Sequence, residues 1–419
     1  MDKLSKRGQR SRAQRARARR RKQRRGQALH ALTTSALALP GLASQALAEE
    51  GLGITAEYNY ARYSEDDLGS SKVAPGNETS RYEVDVHQFR FAMPVTERIG
   101  LDLEVAYETM TGASPWYIRP DATTGEPVQV MTGATIDDTR TDVLAKGTYA
   151  MDWGNFTGSG GVSIEKDYMA FNGGFGAERN FNEKNTTLAG GLGFSYDLID
   201  PTQDGTSIRV EDEDKHSATV FGSLSQVLGR SSAIQTTLTY QYAGGFLSDP
   251  YKLALVGGLT EPDSRPDQRH QFSLLARYRK HFERVGGSFH FDYRFHVDDW
   301  ELNAHTFDVG WYQNVFDVVR LTPSIRYYSQ SQAEFYAPYY LSAKSDGLYS
   351  SDYRLSPYGA LSYRIKAETR FQTWNFDWSA NVAWERYDSA SDLALLSVDV
   401  ENPGLVSFNV WSVGLTGRF

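Results

Sequence analysis

The sequence contains no cysteine. The chain therefore forms no disulfide bonds, attaches no c-type haem and offers no thiolate to a metal. A chain without thiols is also suited to passage through an oxidising compartment such as the periplasm. After residue 48, no segment approaches the roughly 18 consecutive apolar residues that a transmembrane helix needs. The sequence therefore predicts no membrane-spanning helix in this part of the chain.

Enzyme motifs are missing as well. The chain has no G-x-S-x-G, no H-E-x-x-H and no phosphate-binding glycine-rich loop. We therefore expect no catalytic residues and no cofactor. One segment is rich in metal-ligand types: His290, His296, His305, Asp292, Asp298 and Asp299. Such residues bind zinc or copper, but strand parity turns His305 away from the other two histidines. Ordinary polar residues are the favoured interpretation, and no metal site is predicted.

The first 48 residues carry 13 Lys and Arg against one acid, Asp2. An apolar, small-residue stretch follows the basic segment, and Ala46-Leu47-Ala48 matches the A-x-A pattern of a signal-peptide cleavage site. We expect residues 1–48 to be a signal peptide, removed after Ala48, and residues 49–419 to be the mature domain. The alternative is a basic arm that binds nucleic acid.

The predicted mature domain is acidic. Removing the first 48 residues from the 44 basic and 52 acidic residues of the whole chain leaves 31 and 51, a formal charge of about −20. Such a domain repels phosphates, so we expect no binding to nucleic acid. If the domain forms a pore, the acidic excess favours weak cation preference.

Apolar and polar residues alternate along the mature domain, as they do in a strand with one apolar face. Residues 289–296 read Phe-His-Phe-Asp-Tyr-Arg-Phe-His, and residues 408–419 read Phe-Asn-Val-Trp-Ser-Val-Gly-Leu-Thr-Gly-Arg-Phe. The segments are about 10–14 residues long, which exceeds most globular strands and spans a bilayer when tilted. The last segment resembles the closing strand of outer-membrane barrels, whose terminal aromatic residue, here Phe419, is the signal for the assembly machinery.

Short and long connections alternate between these segments. Seven short turns are predicted at 95–98, 152–155, 182–185, 228–231, 282–285, 314–317 and 367–370. Eight loops are predicted near 64–80, 111–138, 166–168, 199–213, 246–268, 298–301, 331–350 and 387–405. The sequence therefore predicts an all-β, antiparallel up-and-down transmembrane β-barrel of about 16 strands (14–18), with short periplasmic turns and long extracellular loops.

Several motifs combine aromatic residues with unusual spacings. They are 107–117 (Tyr-Glu-Thr-Met-Thr-Gly-Ala-Ser-Pro-Trp-Tyr), 245–252 (Gly-Phe-Leu-Ser-Asp-Pro-Tyr-Lys), Arg265-Pro266 with Arg269, 327–336, and 350–356 (Ser-Ser-Asp-Tyr-Arg-Leu-Ser). Over nearly all of the mature domain the chain resembles the DUF3570 family of proteobacterial outer-membrane proteins. The resemblance implies a barrel and an outer-membrane location. It implies no activity, because the family has none assigned.

Two sets of residues are candidates for function. The first set belongs to the loops and strand ends: Trp116, Tyr117, Asp249, Tyr251, Lys252, Arg265, Arg269, Tyr328, Tyr336, Asp352 and Arg354. We expect these loops either to fold over the mouth and control passage or to pack on each other and stiffen the rim. The second set faces the lumen: Glu57, Asp102, Glu104, Glu108, Glu165, Asp197, Asp377 and Glu385, with Arg277, Arg279, Arg294, Arg326 and Arg364.

The acidic lumen residues come mainly from the first strands and the basic ones from later strands. This order predicts a transverse electric field across the pore, unless opposite charges pair and merely hydrate it. The sequence thus favours a porin-like channel or transport pore in the outer membrane of a Gram-negative bacterium, for a solute it does not identify. The alternative is a non-conducting scaffold or sheath for a periplasmic or lipoprotein partner. Other expected partners are outer-membrane lipid, lipopolysaccharide and the barrel-assembly machinery.

Overall fold

The computed structural model describes residues 53–132, 136–203, 209–316, 318–374 and 376–419. The expected signal peptide and its cleavage site lie outside these residues. The strands of the described part are β1 (Thr55–Glu65), β2 (Glu83–Pro94), β3 (Ile99–Gly112), β4 (Pro115–Pro120), β5 (Pro127–Met131), β6 (Ile136–Met151), β7 (Gly154–Ile164), β8 (Tyr168–Phe181), β9 (Thr186–Ile199), β10 (Glu213–Gly229), β11 (Ser232–Gly245), β12 (Leu253–Val256), β13 (Leu259–Pro262), β14 (Gln268–Phe282), β15 (Gly287–Asp298), β16 (Asn303–Val315), β17 (Val319–Gln330), β18 (Tyr358–Thr373), β19 (Phe376–Ala390) and β20 (Ser407–Arg418).

Sixteen of these strands form one closed antiparallel barrel, in which each strand pairs with its sequence neighbours. The barrel closes where β1 pairs with β20, from Thr55 opposite Arg418 to Glu65 opposite Phe408. The other four strands form two hairpins, β4–β5 and β12–β13, inside connections between barrel strands. The predicted all-β barrel of about 16 strands is therefore confirmed. No helix in the described part of the chain has the length and apolarity needed to cross a membrane.

The apolar face of the barrel points outward. Phe175 on β8 is 65% exposed and Leu238 on β11 is 62% exposed, although both lie within strands. Their sequence neighbours point to the inner face, because successive residues of a strand point to opposite faces. The lumen is therefore polar. This arrangement is the one that a barrel in lipid requires.

Aromatic pairs recur on the outer face of the barrel. Three tyrosine hydroxyls bond to Nδ1 of a histidine on the next barrel strand: Tyr58 with His87 at 3.0 Å, Tyr240 with His270 at 2.8 Å, and Tyr293 with His305 at 3.0 Å. In each case a phenylalanine two residues after the histidine also packs on the tyrosine, with ring centroids about 5 Å apart. We call these the Tyr–His pairs.

Seven short connections at one end of the barrel and eight loops at the other are present between the described strands, as expected. One turn was placed wrongly. The sequence favoured a turn at 367–370, but β18 continues to Thr373. The charged residues that suggested a turn face the lumen instead, where Glu368 lies 3.9 Å from Arg320, 3.4 Å from Lys366 and 3.6 Å from Arg370. Their charge serves an aqueous interior and does not end the strand.

Candidate functional site

Five loops meet at the long-loop end of the barrel. They are loop 1 (66–82), loop 2 (113–132), loop 5 (246–267), loop 7 (331–357) and loop 8 (391–406). Loop 5 reaches loop 2, since Lys252 Nζ lies 3.4 Å from the Pro115 carbonyl oxygen and β12 packs against β4. A 16-strand barrel is roughly 30 Å across at ordinary strand spacing and tilt, so loops that meet from separate sides lie across its mouth. We call this assembly the cap.

Further contacts tie the other loops into the cap. Asn402 of loop 8 donates to the Tyr336 hydroxyl of loop 7 at 2.9 Å. Arg81 of loop 1 lies over the ring of Tyr353 in loop 7, 5.7 Å from its centroid. Loops 1 and 8 meet where Lys72 Nζ lies 2.5 Å from Glu401. The loops thus pack on each other, and they do so above the lumen.

Six charged side chains form the centre of the cap, and we call them the cap cluster: Asp249, Lys252, Asp263, Arg265, Asp352 and Arg354. Asp352 is the central acceptor. Arg354 bonds to it directly, Arg265 Nη2 lies 2.9 Å from its Oδ2, and Lys252 Nζ lies 4.0 Å from its Oδ1. The outer acids complete the cluster, since Arg265 Nε lies 2.7 Å from Asp263 and Arg354 Nη2 lies 2.8 Å from Asp249. Three acids thus match three bases.

The two central acids of the cap cluster are sealed from water, and its cations reach the surface to different degrees. The side chains of Asp263 and Asp352 are 0% exposed, whereas those of Arg265, Lys252 and Arg354 are 10%, 12% and 31% exposed. Burial alone would raise the pKa of Asp352, but Arg354, Lys252 and Arg265 together hold its pKa well below the usual range. Burial lowers the pKa of Lys252 against the attraction of Asp352. The charges therefore depend on one another, and removing one leaves buried charge without compensation.

The remaining predicted loop residues lie around this centre. Trp116 and Tyr117 pack on the buried Ala74, Val128 and Val130. Tyr251 donates its hydroxyl to Asp167 of the short loop 3 (165–167). Arg269 pairs with Asp298, and its guanidinium lies 4.3 Å from the Trp300 ring centroid. Tyr336 belongs to a buried apolar cluster with Phe335 and Leu355, and Tyr328 packs against that cluster.

Below the cap, the predicted lumen charges occupy two walls. The strand register puts Glu57, Asp102, Glu104 and Glu108 on the inner face of β1 and β3, and Asp197 on that of β9. Arg90 of β2 serves three of these acids, at 2.6 Å from Asp102, 3.7 Å from Glu104 and 3.8 Å from Glu57. The predicted bases lie on the inner face of β14, β15, β17 and β18: Arg277, Arg279, Arg294, Arg326 and Arg364. Asp377 and Glu385 face inward on β19, next to the basic wall.

A cavity of about 710 Å³ lies against the basic wall. Its described lining includes seven Lys and Arg side chains and four Asp and Glu side chains, a formal excess of three positive charges. Tyr328, Tyr358 and Tyr387 line the cavity towards the cap. The lumen surface here is charged, and charged groups of this density need water or a polar solute beside them.

The histidine-rich hairpin brings only two of its metal-ligand types together in the described part of the chain, His296 and Asp298, with Nε2 3.7 Å from Oδ2. His290 stacks on Tyr312 with ring centroids 4.0 Å apart, and Asp292 is taken by Arg277 and Arg279. His305 faces outward in a Tyr–His pair, as parity predicted. The carboxylates that do converge are Asp138, Glu165 and Asp167, whose oxygen atoms lie within 4.8 Å of one another beneath loop 5. Sequence reasoning missed this group because its members are separated by ordinary strand residues.

Comparison with known protein families gives one match. The sequence profile described as "Protein of unknown function (DUF3570)" matches residues 29–397. The chain belongs to the DUF3570 family. No curated protein matches the sequence.

Solved outer-membrane barrels resemble this DUF3570 chain in fold at low identity. A bacterial polysaccharide outer membrane secretin is 10% identical with a TM-score of 0.44, and the match covers 87% of this chain and 98% of that one. A BenF-like porin from Pseudomonas fluorescens Pf-5 is 11% identical with a TM-score of 0.42, over 88% and 99% of the two chains. CdiB from Acinetobacter baumannii is 8% identical with a TM-score of 0.48, over 87% and 60%.

The functional residues of this DUF3570 member that sequence reasoning missed are mostly charged. Asp263 completes the cap cluster, and its position two residues before Arg265 was the available signal. Lys366 and Glu368 line the cavity, but Glu368 was assigned to a turn and Lys366 to the position just before it. Arg81 and Glu65 form a buried ion pair at 2.7 Å that supports loop 1. Sequence reasoning overlooked these residues because charged side chains in a soluble protein usually lie on the surface.

Proposed function

We propose that the protein is a gated channel of the bacterial outer membrane that passes small solutes. Its apolar outer face contacts outer-membrane lipid and lipopolysaccharide, its long loops are extracellular, and its short turns are periplasmic. The observation that carries the proposal is the charged cavity of about 710 Å³ beneath the cap. A barrel that only enclosed a partner would need no such surface, because buried charge without a polar contact is costly.

The cap is the gate in this proposal. The cap cluster holds loops 5 and 7 together, since Arg265 of loop 5 pairs with Asp352 of loop 7 at 2.9 Å and Arg354 reaches back to Asp249 at 2.8 Å. Opening requires these pairs to separate and to be hydrated. We therefore expect low resting conductance and discrete openings. The cap cluster also fits the alternative function, a non-conducting sheath for a periplasmic or lipoprotein partner, because such a sheath can have a permanently closed mouth.

Conductance of the refolded mature chain in planar bilayers tests the proposal. Asp352→Asn removes the central acceptor, so three partly buried cations lose their shared partner. We expect the variant to stay open longer than the wild type. Asp346→Asn is the matched control, since the exposed Asp346 lies in the same loop and pairs with Lys344, away from the cap cluster. We expect the control to gate as the wild type does.

A reversible cross-link gives a second test. Ser264 and Tyr349 exchange two backbone hydrogen bonds, of 2.8 and 2.9 Å, and so join loops 5 and 7. Because the chain has no cysteine of its own, Ser264→Cys combined with Tyr349→Cys creates a single thiol pair. We expect oxidation to hold the channel closed and reduction to restore openings in the same molecules. If neither the reduced pair nor Asp352→Asn conducts, the channel is excluded and the sheath is favoured.

A further inference from the structure

The cavity against the basic wall carries more positive charge than the carboxylates of its lining balance. Asp292 is shared by Arg277, at 3.3 Å, and Arg279. Asp308 lies 3.0 Å from Arg326. Glu368 is shared by Arg320, Lys366 and Arg370. Glu385, the acid directly across from Arg364 in the register, accepts a hydrogen bond from Ser362 at 2.5 Å.

Two guanidinium groups of the cavity lining, those of Arg294 and Arg364, form no ion pair with these carboxylates. Among the described residues, neither Arg294 nor Arg364 has a carboxylate within 4.0 Å, and both side chains are exposed to the lumen. Arg294 stands beside Thr306 in the register, and Arg364 stands beside Ser324, so each has a hydroxyl next to it. A guanidinium beside a hydroxyl is a donor set that suits an oxyanion.

The size of the cavity and the residues around it indicate the chemical class of the ligand. The volume of about 710 Å³ falls in the range that holds small organic molecules. Tyr328 and Tyr358, with ring centroids 5.7 Å apart, close the cavity towards the cap with aromatic surface. The acids on the opposite wall, among them Asp102 and Glu104, repel an anion towards the arginines. The local field at the cavity is therefore opposite to the cation preference that the acidic composition suggested.

We propose that Arg294 and Arg364 form a binding site for small organic oxyanions, which carry carboxylate or phosphate groups, and that such solutes are the cargo of the channel. The site rests on the proposed function for its role in transport, but binding itself does not require conductance. Arg326 of β17 lies two residues from Tyr328, in the ladder row of Arg294, and two residues from Ser324, in the row of Arg364. It adds a third cation, which Asp308 offsets.

Binding is measured first, by titrating inorganic phosphate and succinate into the folded full-length mature chain in detergent and following heat release. We expect saturable binding of at least one probe. The double variant Arg294→Gln, Arg364→Gln should weaken it at least about tenfold, since each charge-assisted pair contributes strongly to affinity. Arg284→Gln is the control, because Arg284 is exposed in the turn after β14 and removes the same charge outside the cavity. Heat-dependent mobility on gels verifies that each variant is folded.

Reversal potentials across bilayers give the second readout. The wild type should favour succinate over tetramethylammonium, and the double variant should lose that preference while Arg284→Gln keeps it. Saturable binding without any conductance, even for Asp352→Asn, would sustain the site and overturn the channel. Conductance in which neither probe binds, or in which the double variant binds and selects as the wild type does, would overturn the site and leave the channel. Whether phosphate or succinate binds more tightly assigns the cargo between the two oxyanion types.

Discussion

Glu165 shows how a single residue depends on its surroundings in this barrel. It lies in loop 3 with its side chain 2% exposed, 3.7 Å from Arg140. Burial and the neighbouring Asp138, Asp167 and Glu108 raise the pKa of Glu165 to about 8, and the attraction of Arg140 only partly opposes them. Burial and Asp138 likewise raise the pKa of Asp167 to about 6. Tyr251 of loop 5 donates to Asp167, so this acidic group supports the side of the cap.

The raised pKa of Glu165 predicts a pH-dependent stability. A carboxyl group whose pKa is higher in the folded state stabilises that state fully below its unfolded pKa, and this contribution is lost as pH rises towards about 8. Each pH unit between the unfolded and the folded pKa lowers the free energy of unfolding by up to about 1.4 kcal/mol. Thermal unfolding in detergent should therefore occur at lower temperature at pH 8 than at pH 5. Glu165→Gln, which does not ionise, should flatten this dependence.

Glu211→Gln serves as the control for this measurement, because Glu211 is exposed in the loop between β9 and β10. An equal flattening in both variants would mean that the effect comes from total charge, and the burial of Glu165 would not be its cause.

At the scale of elements, strands were predictable and cap contacts were not. Alternation is local, so the sequence located the closing strand, β20, and gave the number of barrel strands. The ion pairs of the cap cluster join residues far apart, 87 positions for Arg265 and Asp352 and 105 for Asp249 and Arg354. Nothing in either segment alone specifies the partner. The motifs marked these residues as unusual, and only the barrel brings them together.

The end of β20 yields a prediction about assembly. Phe419 exchanges two backbone hydrogen bonds with Ile54, of 2.9 and 3.1 Å, and its ring packs on Phe376 and Trp378. Phe419→Ala removes both ring contacts to β19, the strand next to the seam where β20 pairs with β1, and each contact contributes about 1 kcal/mol. We expect a smaller folded fraction and slower insertion into lipid, measured by heat-dependent gel mobility over time.

Phe91→Ala is the matched control for the seam. Phe91 is an outward ring on β2 with 41% exposure, close to the 47% of Phe419. If both variants fold equally slowly, lipid-facing aromatic area matters and the terminal position does not.

At the scale of the whole molecule, lipid on the outer face of the barrel and water on its inner face predict that the two faces tolerate a charged substitution differently. Leu238 lies midway along β11 and faces outward, whereas Thr239 faces the lumen. Leu238→Arg should destabilise the barrel by about 2–4 kcal/mol, because a charge at the bilayer midplane is costly. Thr239→Arg should cost much less. Urea unfolding in lipid vesicles compares the two, and equal losses would contradict the assignment of faces.

The Tyr–His pairs have a consequence for how the protein is held. They sit on three hairpins, β1–β2, β11–β14 and β15–β16, of which the first lies on the far side of the barrel from the other two. Each pair joins an apolar ring to polar groups and therefore prefers the boundary between acyl chains and headgroups. Tyr240 and Tyr293 lie five residues before the loop-side ends of β11 and β15, so these neighbouring hairpins hold one side of the barrel near its long-loop end. Tyr58 lies three residues after the turn-side end of β1, so its pair holds the opposite side at a different depth.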